Sequence, residues 1–89
     1  MPSRYLQVTY RNGRVLAAYL HLERRVGRKS ACTKEVSPSL LVDFAAGGEP
    51  TGIEIVDPEM VTARDVNAVV RQLGLPAMTA DQLRPLHAA

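Results

Sequence analysis

Two runs of alternating apolar and polar residues open the chain. Tyr5 to Tyr10 and Val15 to Leu22 each carry apolar side chains with the period of two that a half-buried strand shows, and Asn12-Gly13 stands between them. Asn-Gly tolerates positive φ at both central positions of a type I′ turn, whose twist suits the flanking strands, so the segment predicts a tight hairpin. Pairing Arg11 with Arg14 and continuing without interruption gathers Tyr10, Val8, Leu6, Val15, Ala17 and Tyr19 on one face. The other face then receives Thr9, Gln7, Tyr5, Leu16, Ala18 and Leu20. The first is the better core, yet the second is half apolar.

From Glu23 to Lys34 the alternation dissolves into a basic, glycine-containing connection, and a short strand is expected within Ser30 to Val36 before Ser37-Pro38. Leu40 to Phe44 and Gly52 to Val56 flank Ala45-Ala46-Gly47-Gly48-Glu49-Pro50-Thr51, a second hairpin. With the turn at Gly47-Gly48, Leu40, Val42, Phe44, Ile53 and Ile55 share one face, and Leu41, Asp43 and Glu54 share the other.

After Asp57-Pro58 the period changes from two to 3.6. Val66, Val69, Val70 and Leu73 form one stripe of an amphipathic helix over 62–74, with Arg64, Asn67, Arg71 and Gln72 outside it. Thr62 is placed to cap it with Asp65 at N3, and Gly74 and Pro76 stop it. A short second helix over 79–87 starts at Thr79 with Gln82 at N3, and Met78 is spaced to staple onto Leu83; Pro85 keeps it short. The expected fold is one α+β domain, with an antiparallel sheet of four to five strands over 5–57 and the long helix laid on one sheet face. The face left bare carries Tyr5, Leu16, Ala18, Leu20 and Leu41, and covering it with a second copy makes the chain a homodimer.

At 89 residues there is room for one domain. Aromatic residues are 4% of the chain and tryptophan is absent, so the core must come from Val, Leu, Ile and Ala, and partner burial would add to a thin margin. Cys32 is the single cysteine and cannot form an internal disulfide, which fits a reducing, cytoplasmic setting. No apolar run is long enough for a membrane span or a cleavable signal. The net charge of +2 conceals a lopsided distribution: residues 1–34 carry eight of the eleven Lys and Arg and one acid, residues 35–89 the remaining three and eight acids.

The run Glu35-Val36-Ser37-Pro38-Ser39-Leu40-Leu41-Val42-Asp43-Phe44, followed by Gly52-Ile53-Glu54-Ile55-Val56, resembles the small bacterial family known as domain of unknown function 2283. Val8-Thr9-Tyr10 and Leu16-Ala17-Ala18-Tyr19-Leu20 look like that family's opening hairpin, with basic Arg11-Asn12-Gly13-Arg14 where the family has an acidic turn. The resemblance spans the first two thirds of the chain. It implies a sheet with a helix in a self-associating protein, brings no activity and no catalytic residues, and extends to an antitoxin-like role.

Asp43 and Glu54 point from neighbouring strands to one face, as paired carboxylates do for acid/base work or for a hard cation, but no third ligand stands at fixed spacing. No catalytic set, metal site or cofactor motif is assigned. His21 beside Arg4 and His87 near the terminus read as surface residues. The favoured reading is a non-enzymatic dimeric protein-interaction module. The second is a nucleic-acid-associated or antitoxin-like regulator binding polyanions through Arg24, Arg25, Arg28, Lys29 and Lys34. A small acid/base or metal-assisted enzyme at Asp43 and Glu54 is third.

Overall fold

A computed structural model describes residues 4–22 and 30–87. The fold is α+β: five antiparallel strands, β1 (Tyr5–Arg11), β2 (Arg14–His21), β3 (Cys32–Ser37), β4 (Leu40–Phe44) and β5 (Pro50–Ile55), form one sheet in the order β1-β2-β5-β4-β3. A 3₁₀ turn at Pro58–Met60 leads to helix α1 (Ala63–Gln72), and helix α2 (Ala80–Leu83) runs into a last 3₁₀ turn at Arg84–His87.

Local chemistry accounts for the turns and caps. Asn12 and Gly13 both take positive φ, 53° and 77°, as a type I′ turn requires. The second hairpin turns one residue earlier than expected: the Gly48 N–H donates to the Ala45 carbonyl at 2.9 Å, and Gly48 itself takes the left-handed conformation, φ 94°. Thr62 with Asp65, and Thr79 with Gln82, each form a reciprocal capping box. Helix α1 closes in a Schellman motif, in which Gly74 has φ 79° and the Leu75 N–H reaches the Val70 carbonyl at 3.2 Å.

The core lies between the sheet and the helical elements. Leu20, Val42, Ile53 and Ile55 from the sheet meet Val66, Val69 and Val70 from α1, with Met78, Leu83 and Leu86 from the C-terminal segment. Asn67, read from its spacing as outside the helical stripe, is half-buried and clamps the chain at Met78. Its Oδ1 accepts from the Met78 N–H at 2.7 Å and its Nδ2 donates to the Met78 carbonyl at 3.1 Å. His87 is likewise tied in, its Nε2–H donating to the Val61 carbonyl at 2.7 Å.

The first hairpin differs from the uninterrupted pairing. Tyr10 pairs with Val15, but the next pair is Thr9 with Ala17, so Leu16 is an extra residue on β2. Every later pair moves by one, and Val8 and Leu6 now face Ala18 and Leu20. Ala18 and Leu20, expected on the bare face, are therefore core, 4% and 0% exposed. The shift is favourable because it puts both alternating strands' aliphatic residues under the helices and turns Tyr5, Gln7, Tyr19 and His21 outward.

Candidate interaction face

The face turned away from the helices is ordered in rows by strand register. One row runs Tyr5, His21, Gly52, Asp43, Thr33; the next runs Gln7, Tyr19, Glu54, Leu41, Glu35. Of the expected face residues, Tyr5 and Leu41 are here, Tyr5 about half exposed at 49%, and Leu16 stands exposed at the bulge.

Gly52 gives the face its arrangement. Lacking a side chain, it leaves room for the Tyr19 ring to cross β5: a Cβ at Gly52 would sit 2.0 Å from the Tyr19 hydroxyl oxygen. The Tyr19 hydroxyl reaches Asp43 and donates to its Oδ2 at 2.8 Å, while the Thr33 hydroxyl donates to Oδ1 at 2.6 Å. Burial and then the hydrogen bond and negative charge of Asp43 push the Tyr19 pKa up to about 12, so at neutral pH it is a donor held in its protonated form. On the other side of Tyr19, His21 stacks on Tyr5 at a centroid distance of 4.3 Å and meets the Tyr19 ring edge-on at 4.8 Å. The His21 Nε2–H donates to Gln7 Oε1 at 2.8 Å, and burial lowers the ring's pKa.

The register brings Asp43 and Glu54 onto one face as expected, in adjacent rows of neighbouring strands. They do not act as a free pair: both Asp43 oxygens are engaged by hydroxyl groups, whereas Glu54 is exposed. Among the described residues no group of three His, Cys, Asp or Glu is placed to hold a metal ion. Of the basic candidates, Arg24, Arg25, Arg28 and Lys29 lie outside the described residues; Lys34 is exposed on β3. Cys32 is an exposed free thiol at the start of β3.

The sequence pattern put Tyr19 on the core face, which the shifted register overturns, and gave Thr33, Gln7 and Gly52 no role in a site. The available signal was Gly52 inside an apolar strand, since glycine there often marks a close approach by another group. No helix among the described residues is long and apolar enough to cross a membrane. Comparison with family models, curated proteins and solved structures returned no match to this chain.

Proposed function

We propose that the protein is a non-enzymatic, cytoplasmic interaction module that works as a homodimer through the open face of its sheet. One observation carries the reading: the helical elements cover one side of the five strands, and the other side holds Tyr5, Leu41 and Val56 around an ordered cluster of rings and hydroxyls. A sheet with one face left uncovered among the described residues gains by burying it, and rings held by their neighbours lose little freedom when a partner covers them. Kinship with the domain of unknown function 2283 family belongs to the same proposal, supported by Val42-Asp43-Phe44 and Gly52-Ile53-Glu54-Ile55 falling on paired strands. The engagement of both Asp43 oxygens weighs against acid/base chemistry at Asp43 and Glu54.

Light scattering at micromolar concentration tests the reading. The wild type should be a dimer, and Leu41→Arg or Val56→Arg should give a folded monomer, because both side chains lie off the core. A wild type that stays monomeric, or a dimer indifferent to both substitutions, overturns it. Salt-sensitive retention on duplex DNA by a monomer would favour the regulator reading instead.

A further inference from the structure

The open face carries its basic and its acidic side chains apart from one another. Alternation along β1 continues from Tyr5, Gln7 and Thr9 to Arg11, and Arg11 pairs with Arg14, so both arginines stand on the outer face at the tip of the first hairpin. Glu54, on the central strand β5, and Glu35, on the edge strand β3, share a row that is displaced from the arginines both along and across the strands, with Asp43 in the row beyond them. Arg11, Arg14, Glu35 and Glu54 are all exposed and none forms an ion pair among the described residues. Asp57 and Glu59 line a cleft with the two arginines without forming an ion pair with them. Two arginines directly opposite each other repel, and Asp57 and Glu59 beside them offset part of that charge.

Resting on the homodimer reading, we propose that the two copies meet with their strands crossed near a right angle, setting Arg11 and Arg14 of each against Glu35 and Glu54 of the other. The offset between the two charged groups fixes the crossing. Strands lie about 4.8 Å apart and rise about 3.3 Å per residue. From the Arg11–Arg14 pair to the midpoint of Glu54 and Glu35 is therefore roughly 12 Å across the strands and roughly 13 Å along them. A two-fold axis lying in the interface exchanges the two groups only if it runs along the other diagonal. Reflection across a diagonal turns strand directions by about 90°, the orthogonal mode of sheet packing.

That axis passes over the row containing Ala17 and Val56. Val56 follows β5, its N–H bonded to the Ser39 carbonyl at 3.0 Å, and is 48% exposed. The arrangement therefore has Ala17 and Val56 at the axis with Glu54 one row away on the central strand, and Arg11, Arg14 and Glu35 toward the rim. A two-fold axis parallel to the strands instead stacks the Glu54 and Glu35 row on itself, carboxylate over carboxylate. The face, roughly 20 Å on each side by the same spacings, offers about 400 Å² per copy, roughly half the area that a standard stable interface buries on each partner. Charge pairing should consequently be visible in the affinity.

Charge reversal tests the proposal. Arg11→Glu with Arg14→Glu, or Glu35→Arg with Glu54→Arg, should each weaken the dimer roughly tenfold or more, as like charges then meet. Mixing the two variants should restore wild-type affinity as a heterodimer, and added salt should weaken the wild type. Circular dichroism establishes that each variant is folded. If both reversals leave the dimer unchanged while Leu41→Arg still breaks it, the face stands and the crossed pairing falls. If mixing fails to restore association, the pairing likewise falls; if the wild type is a monomer, both proposals fall together.

Discussion

Replacing Gly52 by alanine isolates the packing that organises the outer face. The new Cβ would lie 2.0 to 2.4 Å from the hydroxyl oxygen, Cζ and Cε2 of Tyr19, so the ring must leave its place over β5. Those atoms are the far end of a flexible side chain, and the cost is what Tyr19 gives up rather than a backbone distortion. Its hydrogen bond to the Asp43 carboxylate is part-buried and contributes about 1 to 1.5 kcal/mol, toward the low end for a charged acceptor. The edge-on contact with His21 adds about 0.5 kcal/mol. Alanine returns about 0.5 to 1 kcal/mol, because glycine loses more backbone freedom on folding. The net expectation is a loss of about 1 kcal/mol in Gly52→Ala, a fall of about 4 to 8 °C in Tm for a domain of this size. In a Tyr19→Ala background the obstruction is gone, and the same substitution should stabilise by about 0.5 to 1 kcal/mol. Urea unfolding of the four proteins at one concentration closes the cycle. An equal cost in both backgrounds would refute the idea that Gly52 exists to admit the Tyr19 ring.

Three further outcomes follow from the same structure. Val70→Asp places an unpaired carboxylate at a position with no solvent exposure, which costs several kcal/mol of a margin of about 5 to 15; a folded variant by circular dichroism would show the core to be elsewhere. Asn67→Ala removes both bonds to the Met78 backbone and should cost about 1 to 3 kcal/mol, with faster amide exchange at Met78, and unchanged exchange there would contradict the clamp. The two perturbed groups set opposite limits on pH. Tyr19 stays protonated in the fold after it ionises in the unfolded chain, so its contribution holds below pH about 10 and is lost as pH rises toward 12. His21 is depressed in the fold, so its contribution holds above about 6.5 and is lost as pH falls below that value. Melting temperature against pH should decline at both ends, and Tyr19→Phe should remove part of the alkaline decline and His21→Gln part of the acid one.

Elements specified by neighbouring residues were legible from the chain alone. Asn12-Gly13, the two capping boxes, Gly74 and the valine stripe each depend on contacts within a few residues, and each stands where the pattern puts it. The second hairpin was readable for the same reason: Leu40, Val42, Ile53 and Ile55 alternate against Leu41, Asp43 and Glu54, so only one face could be core. The first hairpin was not, because both of its faces are apolar enough to be buried and local pattern cannot choose between them. Tertiary packing chose. An extra residue at Leu16 exchanges the faces of β2 relative to β1, and the helices then cover Ala18 and Leu20. The Tyr19–Asp43–Thr33 network was equally hidden, since it needs β2, β5, β4 and β3 side by side, an order that depends on which strand β5 pairs with across the sheet. Alternation says which residues share a strand's face; which strands become neighbours, and which face meets the helices, is decided by long-range burial that no short window of sequence contains.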